Sequence, residues 1–323
     1  VPDDGVGAAD RGAASGQVPL AAVSEAPGAS EDEHGRVFAE LRPLLFTIAY
    51  EITGSTTDAD DVLQESWLRW ADVDLTTVEH RRSYLARVVS RQSLNALRAA
   101  SRRREEYVGP WLPEPLVVTP GDLADDVVLG ESVSMALLLV LETLSPAERV
   151  VFVLREVFGF DHTEIADVVG RTPAAVRQLA HRAREHVQAR RPRYAPADDE
   201  AVRAVEQFLH AAGGGDLAGL LAVLDPDVVW LSDGGGKASA ARRPLHGPSD
   251  VARFVLGLFR QATPAHRFRF ATVNGAPAVV LSEGDHVEGV FCFDVHDGRI
   301  TALYGVRNPD KLTAVDRVRR VVR

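Results

Sequence analysis

The tract SPAERVVFVLREVFGFDHTEIADVVGRTPAAVRQLAHRARE, residues 145–185, constrains this chain more than any other. Ser145-Pro146-Ala147-Glu148 is a capping box with proline at the first helical position. The Ser145 hydroxyl and the Glu148 carboxylate each satisfy an N–H that a helix start leaves open, and Pro146 has none to leave. The helix it opens carries Val150, Val151, Phe152 and Leu154. After Gly159, Asp161 caps a second short helix with Ile165, Ala166 and Val169 inward, and Gly170 supplies the turn. Thr172-Pro173 then starts a third helix, in which Val176, Leu179, Ala180, Ala183 and Val187 keep helical spacing. Short helix, glycine turn and capped helix is the helix-turn-helix pattern, whose second helix enters the major groove of DNA. Arg171 and Thr172 stand at the start of that helix, and Arg177, Gln178, His181, Arg182 and Arg184 on its outward face. Arginine and glutamine can pair bidentately with base edges, and the others can hold phosphates. A plain three-helix bundle is the alternative.

Upstream, Phe38, Leu41, Leu45, Ile48 and Ile52 recur at three- and four-residue steps. They predict an amphipathic helix closed by Gly54, with Pro43 near its start. A second helix is expected from Asp58, with Val62, Leu63, Trp67 and Trp70 inward and Asp60, Asp61, Gln64 and Glu65 opposite. A third, from Arg82 to about Arg104, turns Leu85, Val88, Val89, Leu94 and Leu97 inward and arginines outward. Gly109 and the prolines of WLPEP (111–115) then stop regular structure and favour a stiff, extended tract.

Charge decides which partners are open. The 323 residues carry a formal net charge of −10, which as an average argues against nucleic acid. The average hides segregation. The first 34 residues hold seven acids against Arg11, lack periodicity and predict a disordered tail. Residues 51–79 carry eight acids against Arg69, and 114–131 carry five acids and no base. Between Arg81 and Arg104 stand eight arginines and no acid, and between Arg171 and Arg193 seven arginines against Glu185. A solvated helix face explains one such cluster; two, each on an expected helix, point to nucleic acid. A single cysteine, Cys292, excludes a disulfide framework and a thiolate-rich zinc site, and no histidine spacing suits a metal, so no cofactor or metal is expected. Neither a long apolar run nor a signal-peptide pattern occurs, which predicts a cytoplasmic protein that engages no membrane.

DADDVLQESWLRW followed by an arginine-rich helix resembles region 2 of bacterial sigma factors, and the tract from Leu144 to Glu185 resembles region 4. The short spacing between the two leaves no room for region 3 and is similar to the compact extracytoplasmic-function class. The resemblance implies two all-α domains and two partners, core RNA polymerase and promoter DNA. It assigns Asp60, Asp61, Gln64 and Glu65 to the coiled coil of the polymerase beta-prime subunit. It assigns Arg82, Arg87, Arg91, Asn95, Arg98 and Arg102 to melting and holding the minus-10 element. Arg171, Thr172, Arg177, Gln178, His181, Arg182 and Arg184 are assigned to the minus-35 element. Unpaired bases need a positive channel, which suits the first basic helix. Tyr84 and Tyr107 are candidates for stacking on bases or for core and rim positions.

Residues 195–199 read as a linker, and the pattern changes beyond it. Val202, Val205, Phe208 and Leu209 predict a helix ending at Gly213-Gly214-Gly215, Leu217 to Leu224 another, and Val251 to Phe259 a third. DVVWL, HRFRFATV, APAVVL, HVEGVFCFDV and RITALYGV read as strands, punctuated by Asn274-Gly275 and Asp297-Gly298. Helices followed by an antiparallel meander indicate α+β, similar to the SnoaL-like cone of the nuclear-transport-factor-2 superfamily. Expected boundaries are a tail at 1–34, region 2 at 35–108, a linker at 109–134, region 4 at 135–194, the cone at 200–312 and a C-terminal tail at 313–323.

Asp233-Gly234-Gly235-Gly236-Lys237 fails as a phosphate loop, which needs Gly at Leu231 and Ser or Thr at Ala238. Its glycines let backbone pass close to a partner, with Asp233 and Lys237 anchoring the loop. This tract, WLPEP with Trp111, Leu112 and Pro113, and NPDKL with Asn308, Pro309, Asp310 and Lys311 together resemble a subgroup of extracytoplasmic-function sigma factors with a fused SnoaL-like domain. That resemblance implies regulation in cis across these tracts, with no separate anti-sigma factor required. Inside the cone, Asp285, His246, His266 and His286 are the candidates for a general base. A small-molecule ligand held without turnover fits better, and no enzyme is expected. The rival readings are a cyclase- or isomerase-like enzyme fused to a DNA-binding module, and a repressor using the helix-turn-helix alone.

Overall fold

The computed structural model describes residues 27–104, 106–119, 123, 126–190 and 199–323. Three helices form the first unit: α1 (Pro27–Thr53), α2 (Thr56–Ala71) and α3 (Arg81–Arg104). α1 starts earlier than its periodicity suggests, so the last residues of the expected tail, from Pro27, are helical, and residues 1–26 lie outside the described residues. Buried His34 explains the extension: its Nε2 lies 2.9 Å from the Val73 carbonyl, and its own carbonyl accepts the Trp70 indole N–H at 3.1 Å. Pro43 therefore sits inside α1 rather than near its start. α2 is capped by Ser55, whose hydroxyl accepts from the Asp58 amide, so Asp58 lies in the first turn instead of at the cap.

Five short helices follow: α4 (Val127–Ser132), α5 (Met135–Leu141), α6 (Pro146–Phe152), α7 (His162–Val169) and α8 (Pro173–Gln188). α4, capped by Asp126, and Ser134, the cap of α5, occupy the end of the stretch expected to be linker. The Ser145–Glu148 capping box forms, as does a second at Asp161–Glu164. Gly170 closes α7 at φ 69°, ψ 43°, the left-handed conformation that favours glycine. Buried Val176, Ala180, Ala183 and Val187 fix which face of α8 meets solvent. α1 to α8 share one apolar core.

The C-terminal unit comprises α9 (Asp199–Gly214), α10 (Leu217–Val223), β1 (Leu224–Asp233), β2 (Leu245–His246), α11 (Pro248–Phe259), β3 (His266–Val273), β4 (Ala276–Glu283), β5 (His286–His296) and β6 (Arg299–Val306). The sheet order is β2-β1-β6-β5-β4-β3. β3 to β6 form the expected antiparallel meander, and β1 joins it by pairing with β6 in parallel. On α9 the inward residues include Ala201, Ala204, Val205 and Phe208, while Val202 is exposed. Helices α9 to α11 cover one sheet face. The other face, with Ala278, Val280, Val290 and Cys292, is covered by Leu112 and Val117 of the linker and Met135 of α5. Burial on both faces explains why β4 reads as an unbroken apolar run. The linker joins the sheet directly: Val117 bridges Val273 antiparallel, and Val118 bridges Arg319 in parallel.

Candidate functional site

The outward face of α8 is built from its cap. The Thr172 hydroxyl accepts the Ala175 amide at 3.2 Å, and Arg171, Arg177, Gln178, His181, Arg182 and Arg184 all stand exposed. Two of the arginines are held in cis: Arg184 pairs with Glu156 at 2.6 Å and Arg182 with Glu148 at 3.4 Å. Glu156 raises the Arg184 guanidinium further above its ordinary range.

On α3, Arg82, Arg91, Asn95 and Arg98 are exposed and Arg87 is half-buried, while the Arg102 side chain lies outside the described residues. The face is not turned wholly to solvent, because α7 packs on it. Arg91 Nη2 donates to the Asp167 carbonyl at 2.6 Å, and Arg87 lies 3.8 Å from the Asp167 carboxylate. Tyr84 tilts against Trp70 with ring centres 5.8 Å apart, a core contact rather than a stacking platform.

Along α2, Asp61, Gln64 and Glu65 are exposed, and Glu65 accepts from the Gln92 amide at 3.1 Å. Asp60 is different. It is half-buried, within 3.6 Å of Arg42 and ion-paired with Arg319 of the C-terminal tail.

The three tracts WLPEP, DGGGK and NPDKL converge on one point. Asp233 is fully buried. Its Oδ1 accepts from the Tyr107 hydroxyl at 2.6 Å and the Gly235 amide at 3.0 Å; its Oδ2 accepts from the Leu112 amide at 2.9 Å and Lys311 Nζ at 2.7 Å. Lys311 also donates to the Leu112 carbonyl at 2.5 Å and lies 3.9 Å from the Trp111 ring centre. Buried Asn308 closes the cluster by donating to the Tyr107 hydroxyl at 2.7 Å. Gly235 has φ 57°, and a Cβ there would come within 2.3 Å of the Asn308 amide, so both strain and space require glycine. Pro113 is buried beside Leu112, and Pro309 and Asp310 are exposed. Lys237 also lies at the surface, paired with Asp310 at 2.5 Å; the buried cation of the cluster is Lys311, so Lys237 is not the loop's inner anchor.

A second convergence ties the linker to α1 and α2. The Glu114 carboxylate accepts from the Ser55 and Thr56 hydroxyls, both at 2.8 Å, and from the Thr57 amide at 3.0 Å. It thus caps α2 from outside the helix. Asn274, at φ 55° in the β3–β4 turn, accepts from the Leu116 amide at 3.0 Å and donates to the Tyr50 hydroxyl and Val133 carbonyl, both at 2.7 Å.

Comparison with known proteins separates these units in the same order. The Sigma-70 region 2 model matches residues 37–103, the Sigma-70 region 4 model 134–187, and the SnoaL-like domain model 205–303. The ECF RNA polymerase sigma factor SigJ of Mycobacterium tuberculosis is 40% identical over 290 residues, which cover 85% of this chain and 92% of that protein. This chain belongs to the extracytoplasmic-function (ECF) sigma factor family. The probable ECF sigma factor SigI of the same species is 33% identical over 84% of this chain and 92% of that one. The crystal structure of M. tuberculosis SigJ superposes with a TM-score of 0.68 at 36% identity, over 85% of this chain and 97% of that one.

In this sigma factor the cone forms a partly open apolar pocket of about 160 Å³, lined by Phe208, Trp230, Val255, Phe259, Phe268 and Phe291. Glu288 stands at its polar edge, 3.4 Å from His266 and 3.5 Å from Arg307. Of the four base candidates only His266 faces this cavity; His246, Asp285 and His286 are exposed and do not line it. A different carboxylate shows perturbed chemistry: burial pushes Asp294 up to about 6, while the Tyr304 hydroxyl donates to it at 2.8 Å. Among the described residues no group of His, Cys, Asp and Glu is arranged to hold a metal, and no helix is long and apolar enough to cross a membrane.

The sequence does not reveal the roles of Glu114, Asn274 and Arg319, nor that Tyr107, a stacking or rim candidate, bonds Asp233. Glu114 lies within the WLPEP tract with no local sign of its capping role, and Asn274-Gly275 signals only a turn. Tyr107 and Arg319 carry no local signal, since partners 126 and 259 residues away define them.

Proposed function

We propose that this ECF sigma factor, which belongs to a family of transcription initiation factors that bind RNA polymerase and promoter DNA, divides that work as follows. Asp60, Asp61, Gln64 and Glu65 dock on the beta-prime coiled coil of core polymerase. The basic face of α3 melts and holds the minus-10 element, and Arg177 and Gln178 lead base recognition at the minus-35 element from α8. The cone governs both units in cis through the Asp233–Lys311 cluster, in place of a separate anti-sigma factor, in the cytoplasm where the polymerase works. It is a binding module and not an enzyme.

The observation that carries this reading is that the linker between regions 2 and 4 is held by the cone, through Leu112, Leu116 and Val118, rather than lying between two independent domains. The α3–α7 contact adds support, since Arg87 and Arg91 meet Asp167 where they would meet phosphates. Run-off transcription with purified core polymerase tests it, comparing the full chain with a version ending at Tyr194. The two are expected to differ in yield on the same promoter, and Arg177→Ala is expected to weaken minus-35 recognition while core binding stays intact. No initiation on any selected genomic fragment would sink the reading.

A second reading concerns the cavity. Its aromatic lining with a Glu288, His266 and Arg307 edge suits a small apolar molecule with one polar end. Such a ligand would act as a signal to the cone. Thermal-shift screening of small apolar acids and alcohols against the full chain tests it, and uniform absence of stabilisation would count against it.

A further inference from the structure

The tail at 313–323 packs as part of the molecule. Val315 and Val321 are buried, Val321 in the core of the sigma regions. The Arg319 amide donates to the Val117 carbonyl at 2.9 Å, and the Val322 amide to the Thr47 hydroxyl at 3.2 Å. This path lays Arg319 across α1 and α2. Its guanidinium pairs with the Asp60 carboxylate and lies 4.8 Å over the Phe46 ring. A groove beside it is lined by Phe38, Arg42, Asp60, Leu63, Gln64 and Arg317.

We propose that this tail competes in cis with core polymerase for the α2 face, an inference that rests on the assignment of Asp60 and Gln64 to core binding. Arg319, which itself lines the groove, meets the half-buried Asp60 carboxylate and the Phe46 ring, with apolar Phe38 and Leu63 also on the groove wall. That combination selects a planar guanidinium on an extended, valine-flanked strand better than a lysine. A core element able to use this site would need the same chemistry, a guanidinium with apolar neighbours, and would have to displace Arg319 before reaching Asp60. Asp61 and Glu65, exposed on the same helix, make the first encounter while the tail is still bound. The face is therefore shared between encounter and lock.

The test titrates full-length variants into fluorescently labelled core polymerase. Arg319→Ala is expected to tighten binding about tenfold, because the competing charge pair is gone. Asp61→Ala with Glu65→Ala, which the tail does not pair with, is expected to weaken it. Since losing Arg319 disturbs packing, a second variant works in the opposite direction. Thr47→Cys with Val322→Cys fastens the tail when oxidised; core affinity should fall about tenfold and return on reduction. Unchanged or weaker binding by Arg319→Ala, with Asp61→Ala and Glu65→Ala still harmful, overturns cis competition and leaves the docking assignment standing. So does an oxidised form that binds core as tightly as the reduced one. If Asp61→Ala with Glu65→Ala has no effect, the docking assignment itself fails and the proposal falls with it.

Discussion

Two lysines, Lys237 of DGGGK and Lys311 of NPDKL, look equivalent along the chain, but burial separates them. Lys311 is 8% exposed against a fully buried Asp233, whereas Lys237 and Asp310 are each more than half exposed. Removing one member of a buried pair leaves the other charged and without compensation. Lys311→Ala should therefore cost about 3–5 kcal/mol, and Lys237→Ala no more than about 1 kcal/mol. Equilibrium unfolding in urea checks this, and equal losses would contradict the geometry. The cluster also shows why the three tracts occur together. The Asp233 carboxylate needs four donors, and Tyr107, Leu112, Gly235 and Lys311 supply them from three segments of chain.

Elements are pinned to each other by a second buried charge. Arg149, on α6, donates Nε and Nη2 to the Glu51 carbonyl at the end of α1, at 3.1 and 3.0 Å, and pairs with Glu142. Beside it Ser132 donates to the Glu51 carboxyl at 2.7 Å, and burial pushes that carboxyl up to about 8. A carboxyl whose folded value is raised holds its proton when the unfolded chain has released it, so folded stability falls as pH rises from about 4.5 to about 8. Asp294, raised to about 6, adds to the fall only in the lower part of that window. Glu51→Gln should flatten the dependence above pH 6, as followed by thermal unfolding between pH 6 and 9; a slope as steep as in the parent chain would refute it. How much of this was legible follows from locality. The Ser145–Glu148 capping box, the Asp161 cap, the Gly170 turn and the four strands from β3 to β6 depend on neighbours in sequence, and all could be read there. The parallel β1–β6 pairing, α4, the outside cap at Glu114 and the inward Arg149 depend on distant segments. Arg149 stands one residue before the apolar pair Val150-Val151, and no spacing rule marks an arginine at that position as buried.

At the scale of the whole molecule, the net charge of −10 is a poor guide and its arrangement a good one. Basic α3 rests against Asp167 of α7, and basic α8 is partly met by Glu148 and Glu156, so acidic groups of the same chain stand where phosphates are proposed to bind. The two helices are thus held at a fixed separation in the free protein. Energy transfer between labels at exposed Arg98 and Gln178 should fall when core polymerase and promoter are added, and a constant signal would show that no opening occurs. The pairing of the linker with Val273 on one side and Arg319 on the other has a consequence for reach. Unfastened, the roughly twenty residues between α3 and α4 behave as a flexible chain with an average span near 25 Å. Fastened, the segment is held to the cone and the C-terminal tail at Val117 and Val118. If the cone regulates in cis as proposed, release of these two bridges would set how far regions 2 and 4 can move apart.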